Sequence, residues 1–205
     1  GTIDLRGFYI RRAYRILPPL YITLALAVGL SFLRFPIGRG NTAGWVSLFT
    51  YTYNYVDLIT HSSAALPTGS GLVWSLMIEE HFYVFFPLLY RLTSRRHWTP
   101  TVQSAALLIV SALILVWRCI LVFALHSQVT GLPRWTYSAT DARLDSIALG
   151  CVLAIATNPW CGDVSGWLSR NIRWLAALGV LLLIATLLIR EPQFRETLRY
   201  TLQSI

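Results

Sequence analysis

The sequence predicts an all-α protein, a polytopic bundle of transmembrane helices. Of its 205 residues, 55% are hydrophobic and 13% are charged. The mean hydropathy of +0.56 is higher than a soluble domain of this length needs to form one core. Strongly apolar runs recur along the chain, at residues 16–33, 73–92, 102–125, 144–157 and 174–189. Most approach the ~20 residues that cross a hydrocarbon core. None alternates polar and apolar residues as membrane strands do, so the runs indicate helices.

The first run follows an arginine cluster at residues 6–15, and such a cluster beside a span is normally cytoplasmic. A second basic cluster, residues 91–97, ends the run at 73–92 and is also predicted to be cytoplasmic. Two cytoplasmic ends require an even number of crossings, which holds if residues 44–60 do not cross. With Arg118 left out, both arrangements place nine flanking arginines inside and seven outside, so the arginine count does not decide whether 44–60 crosses. Local cluster density and the polar residues of 44–60 favour the arrangement in which it does not.

The remaining segments divide into apolar runs and loops. Serine, proline and glycine content predicts loops at residues 61–71, 126–140 and 158–170. The runs at 102–125 and 174–189 are continuous, whereas the run at 144–157 is short and needs its flanking residues to reach across a bilayer.

The net charge of +8 comes with 17 arginines and no lysine. The arginines are scattered between apolar runs, so orientation in a membrane and contact with anionic groups explain them better than nucleic-acid binding does. The three cysteines, Cys119, Cys151 and Cys161, form neither a disulfide framework nor a metal-ligand spacing. The sequence therefore predicts a lipid-bilayer partner and no bound metal.

The run at 73–92 carries Glu79, Glu80 and His81 near its middle. On a helix, Ser75, Glu79 and Tyr83 share one face, while Glu80 is turned about 100° away. Charge at membrane depth costs ~2.5–3.5 kcal/mol on insertion scales, so such residues usually line a cavity or a substrate path. The alternative is that the glutamates only pair with arginines to hold helices together.

The remaining candidates for a functional site include arginines at two places in the sequence. Arg11, Arg12 and Arg15 present neighbouring guanidinium groups on one helix, and such groups bind phosphate or carboxylate in a bidentate manner. Arginines at the border of a span are also ordinary orientation signals. Arg143 and Asp145 lie at the start of the run at 144–157. Their charges fit an intramolecular ion pair as well as they fit a functional site. His61, His97 and His126 lie in predicted loops and are expected to be solvated.

Three stretches, in their order and spacing, resemble acyltransferase family 3, the integral-membrane acyltransferases of bacterial cell-surface sugars. They are FYIRRAYRILPPLY, VWSLMIEEHFYVFFPLLY and DARLDSIALGCVLA, within residues 8–157. The second is the most specific, since the family pattern W-S-L-x-x-E-E-x-F-Y is matched from Trp74 to Tyr83, with His81 at a place often held by glutamine. Arg12 and Arg15 fit the family's R-x-x-R, and Arg143 with Asp145 fits its R-x-D.

The resemblance implies O-acyl transfer in the bacterial cytoplasmic membrane, from an acyl-coenzyme A donor to a hydroxyl of a polysaccharide or lipid-linked sugar. Acyl-coenzyme A is a substrate here, and no permanently bound cofactor is expected. Arg11, Arg12 and Arg15 would hold the donor phosphates, with Ser75, Tyr83, Arg143 and Asp145 as further substrate-binding residues. Glu79 and Glu80 would have supporting catalytic roles, orienting a base or the acceptor hydroxyl.

The resemblance places the family's general-base histidine in helices before the R-x-x-R stretch. We therefore expect residues 1–205 to be a single membrane domain that is part of a larger acyltransferase domain, with N-terminal helices and further C-terminal helices outside it. The base role is not transferred to His81, and the chain by itself is expected to be inactive. Two alternatives remain open: a transporter of an anion or sugar with Glu79 in its path, and a non-catalytic scaffold whose charges only join helices.

Overall fold

The structure is a computed structural model that describes residues 4–32, 41–60, 73–95, 98–125, 132–158 and 164–203. Every regular element in these ranges is helical, which confirms the all-α prediction. The predicted loop at 61–71, the three solvated histidines and Cys161 lie outside the described residues.

The chain forms two compact units, Gly1–Leu92 and Thr93–Ile205. In the first unit the helices are α1 (Leu5–Phe32), α2 (Thr42–Phe49), α3 (Tyr53–Thr60) and α4 (Val73–Arg95), whose last turn enters the second. The second contains α5 (Pro100–Cys119), α6 (Leu132–Ser138), α7 (Leu144–Thr157), α8 (Val164–Leu188), α9 (Pro192–Glu196) and α10 (Leu198–Gln203). The single membrane domain at 1–205 stays a prediction.

Helix α1 contains both the arginine cluster and most of the first apolar run, because it continues unbroken for 28 residues. Its length is about 42 Å at 1.5 Å per residue. Pro18 and Pro19 lie inside this helix. Each lacks an N–H, so the carbonyls of Tyr14 and Arg15 lose their helical donors. Pro87 has the same effect on the Tyr83 carbonyl in α4. The prolines thus leave backbone acceptors next to the residues of the predicted site.

Residues 44–60 do not form one helix. Helices α2 and α3 contain eight residues each, and Tyr51 between them has a φ of 57°. Eight helical residues rise about 12 Å, well short of a hydrocarbon core of about 30 Å. This break favours the arrangement in which 44–60 does not cross as a helix.

Two of the predicted loops contain helix. Residues 132–138 form α6 and Thr140–Ala142 form a 3₁₀ turn, although 126–140 was expected to be irregular. Helix α8 begins at Val164, within the predicted loop at 158–170. Composition misled the prediction here because helices in proteins owe most of their stability to tertiary packing rather than to intrinsic propensity.

Among the described residues, one helix is long and apolar enough to cross a membrane: Pro100–Ala124, which is α5 with its π-helical last turn. Leu144–Thr157 and Arg173–Leu188 are apolar but shorter. Large apolar side chains such as Ile109, Leu113 and Leu187 are exposed, as lipid-facing residues would be. The polytopic arrangement beyond α5 stays a prediction.

The core of the first unit takes one buried residue from each of its four helices: Leu24, Leu48, Tyr53 and Met77. Met77 is fully buried and precedes Glu79 by two residues, so the core fixes the part of α4 that carries the polar site. In the second unit, α5 packs mainly against α7.

We expect Met77→Ala to lower the free energy of unfolding of the full-length protein by about 2–5 kcal/mol, since it removes a fully buried side chain from the core. Thermal and denaturant unfolding in detergent measure the change. The matched control is Phe85→Ala on the same helix, where the side chain is 68% exposed and a change within about 0.5 kcal/mol is expected. Equal losses for both variants would contradict this core.

Candidate functional site

Arg12 joins the two helices that carry the predicted site. Its Nη2 atom lies 3.7 Å from Oε2 of Glu79, and its guanidinium carbon lies 3.1 Å from the ring centroid of Tyr83. Glu79 and Tyr83 are four residues apart on α4, so both face α1, as their spacing predicts. A carboxylate and the negative face of a ring both attract a cation, and together they fix the orientation of the guanidinium plane.

In this ion pair the carboxylate is more exposed to solvent than the guanidinium. The side chain of Arg12 is 18% exposed, whereas that of Glu79 is 52% exposed. An exposed pair at this distance contributes at most about 1 kcal/mol to stability, so holding the helices together is a small part of what it can do. The carboxylate remains accessible to a ligand.

A larger cavity of about 590 Å³ lies beside this pair. Its polar lining includes Arg12, Arg15, Thr23 and Glu79, and its apolar lining includes Leu20 and Leu76. The volume is within the usual range for small-molecule sites, which combine a mostly apolar wall with a few oriented polar groups. The cavity therefore has the size and the cationic groups that an anionic ligand requires.

A smaller cavity of about 250 Å³ adjoins the same guanidinium, since Arg12, Ile16 and Tyr83 line both spaces. Glu80 and Tyr51 line only the smaller one. The turn of about 100° between consecutive helical residues explains why the two adjacent glutamates line different cavities.

The structure places the residues predicted for this unit in different surroundings, and their roles stay predictions. Arg12, Arg15, Glu79 and Tyr83 come together around the larger cavity, and Glu80 lines the smaller one. Arg11 and Ser75 are exposed and line neither cavity. Arg11 lies about 100° from Arg12 around the helix, and adjacent helical residues do not share a face.

His81 contacts α3 and the turn before it, where it hydrogen-bonds the backbone of Tyr51. Its ring lies 6.3 Å from that of Tyr55 on α3, and it is not part of the lining of either cavity. The structure thus gives no reason to assign the base role to it. In the described ranges no group of three or more His, Cys, Asp or Glu residues is placed to hold a metal ion.

In the second unit, Asp145 pairs with Arg118 of α5. Both side chains are completely buried, and Thr201 of α10 contacts both: its hydroxyl lies 2.7 Å from Oδ2 of Asp145 and accepts a hydrogen bond from the Arg118 guanidinium. The Asp145 ion pair therefore reaches across 27 residues to another helix. A buried pair is strongly coupled to folding, because removing one partner leaves an uncompensated charge.

Arg143 and Asp141 occupy the edge of this cluster. The guanidinium carbon of Arg143 lies 4.1 Å from the ring centroid of Tyr200. Burial raises the pKa of Tyr200 above its ordinary value, and nearby Glu196 raises it further, so the ring is a neutral phenol at pH 7. Asp141 accepts hydrogen bonds from the indole N–H groups of Trp117 and Trp135, at 2.7 and 3.2 Å. Substrate roles for Arg143 and Asp145 stay predictions.

Two residues of these sites were missed by sequence reasoning. Arg118 is the single arginine inside the run at 102–125, and a lone charge in an apolar run was itself a signal of a buried partner. Tyr51 lies in a segment whose tyrosine content was noted only as polarity. No sequence pattern announced its positive φ, since left-handed backbone is uncommon for a tyrosine.

These features define a helical protein with at least one membrane-capable helix and an arginine–carboxylate site beside an apolar-walled cavity. The chain is 29% identical over 159 residues to the peptidoglycan O-acetyltransferase OatA of Listeria monocytogenes, covering 75% of this chain and 25% of that protein. It is 30% identical over 165 residues to the O-acetyltransferase OatA of Staphylococcus aureus, covering 77% of this chain and 26% of that protein. Both relatives are O-acetyltransferases by name, which supports an acyltransferase.

The matched region spans about a quarter of the length of these curated relatives. No protein-family model matches the chain, and no solved structure gives a significant match. The resemblance to acyltransferase family 3 in particular stays a prediction.

We expect Arg118→Met to destabilise the full-length protein by about 3–5 kcal/mol, because it leaves Asp145 buried without its cation. Combining it with Asp145→Leu removes both charges and should restore most of the loss. Unfolding in detergent measures both variants. Arg134→Met, at an exposed position of α6, is the control. A double variant as unstable as the single one would contradict this account of the pair.

Proposed function

We propose that the protein is an O-acetyltransferase of the bacterial cytoplasmic membrane that moves an acetyl group from acyl-coenzyme A to a hydroxyl of a cell-wall glycan. The observation that carries this proposal is the fixed Arg12 guanidinium, held by Glu79 and Tyr83 at the wall of the larger cavity. The names of both relatives support acetyl as the group, and the name of the Listeria relative supports a cell-wall polymer as the acceptor.

In this proposal the larger cavity receives the donor. Arg15 is exposed and lines it, so its guanidinium is available to a diphosphate. Arg12 already contacts Glu79 and Tyr83, which suits it to a fixed position near the reacting carbonyl. The two arginines therefore divide the donor-binding role predicted for the cluster: Arg15 binds phosphate, and Arg12 orients the acyl group.

The transfer replaces a thioester C–S bond by an ester C–O bond and moves one proton from oxygen to sulfur. The acceptor hydroxyl oxygen attacks the thioester carbon, an ester C–O bond forms, the C–S bond breaks, and the hydroxyl proton ends on the coenzyme A thiol. Negative charge develops on the carbonyl oxygen during the attack, and a fixed guanidinium stabilises it without reorganisation. Glu79 holds that guanidinium and orients the group that takes the proton. Ile16, Leu20 and Leu76 keep the wall apolar, which limits hydrolysis of the thioester.

Arg12→Ala is expected to lower the rate of acetyl transfer about 100-fold or more, the usual loss when a fixed charge-stabilising donor is removed. Glu79→Gln should lower it about tenfold or more, since the guanidinium loses its ionic partner. The rate is measured with labelled acetyl-coenzyme A in membrane vesicles containing the full-length protein, as label in base-labile glycan ester. Arg11→Ala, exposed and outside both cavities, should keep the wild-type rate.

Both variants transferring at the wild-type rate, at normal membrane levels, would show that the site assignment is wrong. Uptake of labelled solute into the vesicles without covalent change would favour the transporter alternative. If Glu79→Gln lost membrane assembly but kept the specific activity of the remaining protein, the scaffold alternative would be favoured.

Arg15→Ala should raise the KM for acetyl-coenzyme A about tenfold, as expected for the loss of one charge-assisted phosphate contact of about 1.5–3 kcal/mol. The turnover number should change less, because Arg15 is remote from the reacting carbonyl in this proposal. Initial rates at varied donor concentration, with saturating acceptor, separate the two constants. An unchanged donor KM would remove Arg15 from the donor site.

A further inference from the structure

We propose that the smaller cavity of the first unit is the acceptor subsite and takes one neutral sugar ring of the glycan. This inference rests on the proposed function and deepens it, because it separates the acceptor from the donor. The separation is drawn from the different residues that line the two neighbouring cavities.

The lining of the smaller cavity suits a sugar. Three tyrosines, Tyr9, Tyr51 and Tyr83, line this cavity together with Glu80. A pyranose ring has C–H groups that pack on aromatic faces and hydroxyls that donate to carboxylate oxygens. The cavity volume of about 250 Å³ is less than half the 590 Å³ of the larger cavity, which suits a ligand smaller than the donor.

Glu80 carries a hydrogen-bond acceptor atom that a bound ligand can use. Its Oε1 atom is buried and makes no hydrogen bond within the part of the chain that the structure describes. A buried carboxylate oxygen without a donor is costly, and a bound hydroxyl would satisfy it. Glu79 differs, because its carboxylate is half exposed and pairs with Arg12, so solvent and the guanidinium already satisfy it.

Tyr51 is held at the cavity in an unfavourable backbone conformation. Its φ of 57° places a bulky residue in the left-handed region, where glycine would be relaxed. Backbone hydrogen bonds on both sides fix this turn: Thr50 N–H donates to the Val46 carbonyl at 3.0 Å and Thr52 N–H to the Ser47 carbonyl at 2.8 Å. Strain of this kind persists where the surroundings enforce it, commonly at ligand sites. What a tyrosine adds here over glycine is its ring, in the cavity wall.

Charge separates the two ligands. The larger cavity is lined by two arginines and one carboxylate, Arg12, Arg15 and Glu79, and favours the polyanionic donor. The smaller cavity is lined by one arginine and one carboxylate, Arg12 and Glu80, and this balance of charge favours a neutral ligand. Arg12 and Tyr83 line both spaces. A hydroxyl held in the smaller cavity and a thioester held in the larger one therefore meet beside the same guanidinium.

The test compares Tyr51→Leu and Glu80→Gln in the full-length protein, reconstituted in nanodiscs, with labelled acetyl-coenzyme A and a soluble disaccharide of the cell-wall glycan. Each variant should raise the KM for the disaccharide at least tenfold and leave the KM for the donor within twofold. Tyr51→Phe keeps the ring and should stay within threefold of wild type for both substrates. Phe85→Ala, on the exposed side of α4, is the matched control.

An unchanged disaccharide KM in both variants, or an equal rise in donor KM, would overturn the acceptor assignment while leaving the proposed function standing. If Tyr51→Leu does not accumulate, Glu80→Gln decides, since it changes charge with little change of shape. Wild-type protein that transfers no acetyl to any glycan would instead refute the proposed function, and the subsite with it.

Discussion

A charged side chain on an apolar helix needs an oppositely charged or polar partner, and this requirement determines how helices face each other within each unit of the protein. Arg12 on α1 meets Glu79 and the Tyr83 ring on α4, and Arg118 on α5 meets Asp145 on α7 and Thr201 on α10. Each contact fixes the rotation of its helices, because the partners face each other in only one orientation about the helix axes. The positions of the neighbouring side chains follow from that rotation.

The two arginines reach different outcomes because their burial differs. Arg118 and Asp145 are wholly enclosed, so their pairing is a condition of folding. The Glu79 carboxylate is half exposed and borders a cavity, so its pair contributes little stability and stays accessible. An arginine–carboxylate pair thus stabilises the fold in one unit and forms a candidate functional site in the other. Exposure decides between these roles, and sequence alone does not report it.

The first unit combines a rigid wall with accessible polar groups, which is what acyl transfer between two unlike substrates requires. Met77 and its core partners hold α4 in place two residues before Glu79. The turn of about 100° between Glu79 and Glu80 then gives each cavity its own carboxylate. Relatives named as O-acetyltransferases match about three quarters of this chain, and a cavity with two arginines beside one with a single arginine fits the proposed anionic donor and neutral acceptor.

The sequence by itself determined the helical class and the common face of Glu79 and Tyr83, because both follow from local periodicity and composition. It also picked out the arginine cluster, though not which arginine of the cluster engages α4. Only the tertiary structure shows that Arg12 rather than Arg11 contacts α4, that Arg118 pairs with Asp145, and that Tyr51 lines a cavity. These outcomes depend on how separate helices rotate and pack against one another, and that packing links residues from 27 to more than 60 positions apart, beyond the range over which helical spacing carries information.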